Sequence, residues 1–364
     1  MTGVRDMALI IAGTVLGTAV LVLDLGNRVF GPYSRTGGGF LWRLGLVLGA
    51  AALPASPLCF LAMNPASAVW RALAILSSAV GVLLFINFLF PYRWGIRRAN
   101  SDVVRSSSTR PLAKGVVLRE EVLEIPSWPA EVPRLSLLIL ADLHCNSRTK
   151  LRLLQQCLSR LQGQPFDAVV LLGDLGERKA LLPEAVQALA SVTSRFGTFC
   201  VRGNHDLERW RERLVRELLD LNGVVVLANA SCRIAGGAVT LVGLETPWRK
   251  AALAPCDPDD FSIALSHTPD NIALMERLNV HLGIAGHTHG GRLRMPVVGS
   301  LAVPTIYGRF LDRGLFRRGK TFLFVAPAVG RFPGVFGPPG EIVRLILTGP
   351  EGGGSADAAG APRG

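Results

Sequence analysis

A chain of 364 residues with 39 Lys and Arg against 27 Asp and Glu carries a net charge of +12, and 49% of it is hydrophobic. The length allows two or three units. Of the basic excess, 11 Lys and Arg against 3 acidic residues lie in 1–114, beside apolar stretches and with no interleaved aromatic platform, which argues against nucleic acid as the partner. The six cysteines form no C-x-x-C pair, and five of them, an odd number, lie beyond residue 91, so a disulfide framework is not expected and a reducing compartment fits.

Residues 1–91 hold three apolar stretches, Met7 to Leu25, Leu44 to Met63 and Ala72 to Phe90. Each approaches the roughly 20 residues a helix needs to cross a bilayer. The start is weakly basic, carries Asp6, lacks a small-residue cleavage site and is followed by two further apolar segments, so an anchor is expected rather than a cleaved signal. Pro54 and Pro57 would kink the second stretch, whose other reading is a buried partner of the third that does not fully cross. Arg28, Arg35 and Arg43 follow the first stretch, and Arg93, Arg97, Arg98, Arg105, Arg110 and Lys114 follow the third. Basic loops stay cytoplasmic. Three crossings then put the amino terminus outside and the large carboxy-terminal domain in the cytoplasm, giving a multi-pass protein of the inner membrane. Residues 92–114 read as a basic polar linker with Ser106-Ser107-Ser108, 115–348 as one α/β domain, and 349–364 as a disordered Gly/Ala/Ser tail.

Within 115–348, five short motifs follow apolar runs rich in strand formers. They are Asp142-Leu143-His144, Gly173-Asp174, Gly203-Asn204-His205-Asp206, Ser266-His267 and Gly286-His287-Thr288-His289, and they absorb five of the six histidines. Neutral imidazole is the commonest metal donor, so histidine used this selectively points to ligands. Asp142 to Asp174 is 32 residues and Asp174 to Asn204 is 30, each about one βαβ unit. Successive motifs should therefore sit at one edge of parallel strands, where open α/β sheets place their sites. Residues at i and i+2 of an extended segment share a face, which pairs Asp142 with His144 and His287 with His289. His281 alternates with apolar residues and reads as a core or edge histidine. Cys145 reads as a small buried residue rather than a nucleophile.

The arrangement resembles the calcineurin-like metallophosphoesterase superfamily, most closely its membrane-associated bacterial branch, over roughly Val116 to Leu347. The resemblance implies a four-layer α-β-β-α sandwich, preceded here by a helical transmembrane region. It also implies two divalent metal ions, one held by Asp142, His144, Asp174 and His289 and the other by Asp174, Asn204, His267 and His287, with Asp174 bridging and His205 facing the phosphate. Two divalent cations against Asp142, Asp174 and a bridging hydroxide leave a positive balance suited to a phosphate. The mixed donors fit manganese, iron or zinc better than calcium. The expected activity is hydrolysis of a phosphoester or pyrophosphate bond by a membrane-anchored phosphodiesterase or phosphatase. A lipid-linked substrate, as in the similar UDP-2,3-diacylglucosamine pyrophosphatases, is the sharper alternative, and an inactive scaffold of the same fold is the second. Intact residues at all seven ligand positions, with His205, argue against the scaffold.

Several neighbours are expected to support or extend the site. Asp206 should fix the turn under His205, and Glu177, three residues after Asp174, should stand outside the ligand set. Arg292 and Arg294 either reach a substrate phosphate bidentately or are solvated. Leu207, Trp210, Leu214, Leu218 and Leu221 form one stripe of an expected helix, and a mixed patch runs from Arg309 to Arg318. Both are either core faces or surfaces that lean on a bilayer.

Overall fold

The computed structural model describes residues 2–30, 47–48, 52, 56–61, 67–89, 95–207, 209–249, 253–291, 293–295, 299–329 and 339–350. Internal contacts divide the chain into two units, one of residues 1–95, 290–312 and 335–337 and the other of 96–289, 313–334 and 338–364.

The first unit contains the helices α1 (Thr2–Phe30) and α2 (Ala68–Leu89) and an antiparallel hairpin of β12 (Leu293–Met295) and β13 (Gly299–Ala302). The two helices pack through small residues. A Cβ on Gly13 would land on the Ser78 hydroxyl, and one on Gly17 would land on the Gly81 backbone, so only Gly13-x-x-x-Gly17 lets these backbones approach so closely. Large apolar side chains point the other way: Leu9, Val15, Val69, Leu76 and Leu83 are all exposed. Among the described residues no helix is long and apolar enough to cross a membrane, so the three expected spans are not found there. Most of the second apolar stretch lies outside the described residues.

The second unit is built on two mixed seven-stranded sheets. One has the order β1-β14-β15-β11-β10-β9-β8, from Ile96–Arg98, Gly314–Arg318, Thr321–Val325, Leu282–Ala285, Phe261–Ser266, Val239–Leu244 and Ser231–Ile234. The other has the order β2-β3-β16-β4-β5-β6-β7, from Val104–Ala113, Val116–Glu124, Gly340–Thr348, Leu135–Leu140, Ala168–Leu171, Thr198–Cys200 and Val225–Val226. Strands β9, β10, β11 and β15 run parallel in the first sheet, and β4 to β7 run parallel in the second.

Alternation along the strands assigns the layers. Leu135, Leu137 and Ile139 of β4 join Leu241, Ile263, Ile284 and Phe324 of the opposite sheet in one buried core. Leu138 and Leu140 face the other way, onto Leu154 and Leu158 of α4 (Arg148–Ser159), Val186 and Leu189 of α5 (Leu182–Ala190), and Val215 and Leu219 of α6 (Arg209–Leu221). On the first sheet, a Cβ at Gly283 would strike the Met275 sulfur of α7 (Ile272–Arg277). Two sheets with helices on their outer faces make the expected α/β sandwich.

These elements correct one expectation and settle two left open. Residues 96–113, within the segment expected as a linker, form β1, the short helix α3 (Asn100–Val103) and β2. Each of the two strands closes one end of a sheet. An edge strand such as β2, exposed along most of its length, needs backbone pairing but no apolar alternation, so hydrophobic pattern does not reveal it. The expected stripe of α6 is a core face in part: Leu214 and Leu218 pack against the core, Val215 and Leu219 beside them are buried more deeply, and Leu221 is 82% exposed. Phe310, Leu311, Leu315 and Phe316 are buried, Phe316 completely, so this patch is a core face and not a surface for lipid. The side chains of Trp210 and Arg292 and the tail 351–364 lie outside the described residues.

Candidate metal centre

Five strand ends carry the site. Asp142 and His144 follow β4, Asp174 follows β5, and Asn204 and His205 follow β6, all from the second sheet, whereas His267 follows β10 and His287 and His289 follow β11. The carboxy-terminal ends of the two parallel sets meet. His267 Nδ1 lies 2.6 Å from the Leu172 carbonyl oxygen, and the His287 backbone N–H donates to Asp142 Oδ2 at 2.7 Å.

Backbone strain is concentrated here. Of the eight non-glycine residues at positive φ among the described residues, five are Asp142, His144, Asp174, His287 and His289, with φ between 42° and 68°. Left-handed backbone at non-glycine residues costs on the order of 1–3 kcal/mol each, and it persists where surrounding structure enforces it and function uses it. Gly203 meets a related demand: a Cβ there would collide with the Asp174 carboxylate and backbone nitrogen.

The side chains converge donor to donor. His144 Nε2 lies 3.2 Å from His289 Nε2, His267 Nε2 lies 3.0 Å from His287 Nδ1, and Asn204 Oδ1 is 3.1 Å from His267 Nε2. Asp174 Oδ2 stands between the two ring pairs, 3.5 Å from His144 Nε2 and 3.4 Å from His267 Nε2. Asp142 Oδ1 is buried with no hydrogen-bond partner among the described residues, about 4 Å from both His267 Nε2 and His289 Nε2. Donors at metal-ligand bond lengths of about 2.1 Å and ordinary coordination angles sit about 3.0–3.4 Å apart. Nitrogens facing nitrogens at that spacing, beside an orphaned carboxylate oxygen, fit divalent cations. Three groups of side chains could hold a metal ion among the described residues: Asp142, Asp174, His267 and His287 in the first, Asp142, His144 and His289 in the second, and His144, Glu177 and His205 in the third. All seven expected ligands are thus brought together. Asp142 joins the first two groups, and Asp174 of the first lies 3.5 Å from His144 of the second.

Electrostatics agree with a site built for positive charge. Burial pushes the Asp142 carboxyl up to about 6 against the pull of His267. Burial works the same way on Asp174, but the imidazoles of His267 and His144 hold it well below the usual carboxylate range. The His267 ring resists burial through Asp174 and Asp142 and rises to about 9. These rings and carboxylates serve as one another's counterions, a role that a bound cation takes over once the ring nitrogens are neutral donors.

A supporting ring of contacts holds the donors. Glu177 Oε1 accepts from His144 Nδ1 at 3.0 Å, and this bond holds the Glu177 carboxyl down at about 2. It also leaves His144 Nε2 as the lone-pair nitrogen, the outer contact that orients a metal-binding histidine. Asp206, fully buried, accepts from the backbone N–H groups of Asp174 at 2.6 Å, Leu175 at 3.0 Å and Gly203 at 3.0 Å. It fixes the turn under His205, as expected. The His205 backbone N–H donates to Asp174 Oδ1 at 2.9 Å, and its partly exposed ring lies edge-on to His144 with centroids 5.1 Å apart.

Other candidates resolve differently. Arg294 pairs with Asp312 at 2.7 Å and with the Ser300 hydroxyl at 3.1 Å, so it braces its own loop. His281 bonds the Ser262 hydroxyl and stacks on Phe261, and burial pushes the Cys145 thiol up, which suits neither residue to catalysis. Two features escaped sequence reasoning. Arg202 and Glu245, at the ends of β6 and β9, form a buried bidentate pair at 2.7 and 2.8 Å that ties one sheet to the other beside the site. Trp248 packs its indole against His267 and His287, at centroid distances of 5.3 and 5.6 Å. The available signal was position, since Glu245 to Trp248 follows the apolar strand Val239–Leu244 as the histidine motifs follow theirs.

Residues 135–291 match the family model for calcineurin-like phosphoesterases, a span that holds all seven donors and His205. The phosphodiesterase YaeI of Escherichia coli is 30% identical over 211 residues, covering 55% of this chain and 76% of that protein. YkuE of Bacillus subtilis, an uncharacterized metallophosphoesterase, is 25% identical over 224 residues, covering 57% and 77%. A transmembrane protein with metallophosphoesterase domain from Danio rerio is 24% identical over 361 residues, covering 84% and 80%. With its donor cluster inside the matched span, the chain belongs to the calcineurin-like phosphoesterase family and is a metal-dependent phosphoric ester hydrolase.

Proposed function

We propose that the chain is a membrane-attached phosphodiesterase that works with two divalent cations, held by Asp142, His144, Asp174 and His289 and by Asp174, Asn204, His267 and His287. The observation that carries this reading is the facing of ring nitrogens across the Asp142 and Asp174 carboxylates, with Asp142 Oδ1 left without a hydrogen-bond partner among the described residues. The phosphodiesterase activity named for YaeI favours a diester substrate. When bound, such a cation pair lowers the pKa of a water and steadies the attacking and leaving oxygens of an in-line displacement. The chain supplies the rest. Asp174 lies between the ring pairs, Glu177 keeps His144 in one tautomer, and the Leu172 carbonyl does the same for His267. His205 gives a proton to the leaving oxygen.

Membrane attachment through the helices of residues 1–91 is supported by two observations. Large apolar side chains of α1 and α2 face outward while glycines fill the contact, the reverse of a soluble helical pair. The Danio rerio relative covers more of this chain than residues 115–364 contain, so the similarity reaches into the amino-terminal segment. Basic residues after the first and third apolar stretches favour a catalytic domain on the cytoplasmic face of the inner membrane.

A screen of manganese-loaded full-length protein against an aryl phosphodiester, phosphomonoesters, nucleotides and a lipid-linked pyrophosphate tests the reading. We expect the diester to be turned over fastest, with activity lost on chelation and restored by manganese. Preference for the lipid pyrophosphate would move the assignment to that class, and activity indifferent to chelation would contradict the metal-based reading.

A further inference from the structure

Trp248 stands beside two of the donor histidines and is held there from both sides. Glu245, three residues before it, is locked by the buried pair with Arg202. Arg249, the next residue, pairs with Glu212, and its backbone N–H donates to the Glu245 carbonyl oxygen at 2.9 Å. Between these anchors the indole lies tilted at 56° over His267 and at 70° to His287. It therefore walls the side of the centre formed by those two donors, and it remains partly exposed. Yet its Nε1–H is buried and has no acceptor among the described residues. A buried indole N–H almost always finds a partner, and an unpaired one calls for an explanation beyond packing.

We propose that Trp248 is a substrate-positioning residue whose Nε1–H donates to a phosphoryl oxygen of the diester while its ring fixes the His267–His287 side of the site. Tryptophan suits this role because its indole N–H is a donor only, so it binds an anionic oxygen without competing for the cations. Its ring meanwhile presents an apolar face to an ester substituent. The proposal rests on the phosphoesterase reading above.

Trp248→Phe keeps a ring against the imidazoles and removes the donor. For that variant we expect the KM for an aryl phosphodiester and the inhibition constant of inorganic phosphate each to rise about tenfold, the loss of one charge-assisted hydrogen bond. We expect kcat to stay within about threefold, and metal content and melting temperature to match wild type. A ring that merely packed would leave both constants unmoved, and that result overturns the proposal. Should the variant fold poorly, wild-type protein decides. In the zinc-loaded enzyme, the Trp248 indole N–H resonance should shift as inorganic phosphate is added. A resonance that stays in place at saturating phosphate overturns the proposal. A wild type that neither hydrolyses the diester nor binds phosphate would instead remove the phosphoesterase reading on which it rests.

Discussion

At the scale of single residues, the site depends as much on Asp206 and Glu177 as on the donors they hold. Asp206 accepts from three backbone N–H groups, including that of Asp174. Burial lifts its carboxyl to about 6, and the three bonds are what make its burial tolerable. Asp206→Ala would leave those donors unsatisfied inside the protein, at about 1–3 kcal/mol for each buried group so exposed. We expect a melting temperature several degrees lower and weaker metal retention, measured by thermal unfolding with and without added metal. An Ala variant as stable and as metal-replete as wild type would show that the turn does not need its carboxylate. Much of this was legible in the sequence. The convergence of the donor residues and the turn role of Asp206 followed from motif spacing and strand ends, whereas Glu177, expected outside the ligand set, groups with His144 and His205 closely enough to share a cation. Trp248 was not legible, because a lone tryptophan after a strand has no partner within reach along the chain. Its meaning comes from His267 and His287, which are 19 and 39 residues away.

At the scale of elements, the parallel strands explain why the motifs coincide, and the edges explain where sequence reading failed. Strands β4, β5, β10 and β11 are buried along their whole length. They read as apolar runs whose ends mark the site. The pattern of β2 is set by solvent on most of its length, so Ser106-Ser107-Ser108 resembles a linker while pairing with β3. The α6 stripe was read only in part: Leu214 and Leu218 pack against the core, but the adjacent Val215 and Leu219 carry the deeper burial and Leu221 is exposed. The α1–α2 pair carries the membrane proposal. We expect the full chain to stay with the membrane after an alkaline wash, and a reporter fused after Gly349 to be active only in the cytoplasm. Release into the soluble fraction would overturn attachment, and a reporter active only outside would overturn the orientation.

At the scale of the molecule, two sheets contribute separate halves of one centre. Asp142, His144, Asp174 and Asn204 come from one, and His267, His287 and His289 from the other, so the centre exists only when the sandwich is closed. The buried Arg202–Glu245 pair joins the sheets beside it. Removing one partner of such a pair is far costlier than the pair's net contribution, which makes it a clamp on geometry more than a source of stability. Asp174 is the residue on which both halves depend, because its carboxylate lies within 3.5 Å of a donor from each ring pair. Metal content measured beside turnover, for wild type, Asp174→Ala and His205→Ala, therefore tests the account most directly. We expect two divalent ions per wild-type chain, and loss of metal and hydrolysis together in Asp174→Ala. In His205→Ala we expect a full metal complement with turnover reduced by roughly a hundredfold or more, the range for a lost general acid. An Asp174→Ala protein that keeps both ions and its activity would contradict the account, as would a His205→Ala protein that loses its metals.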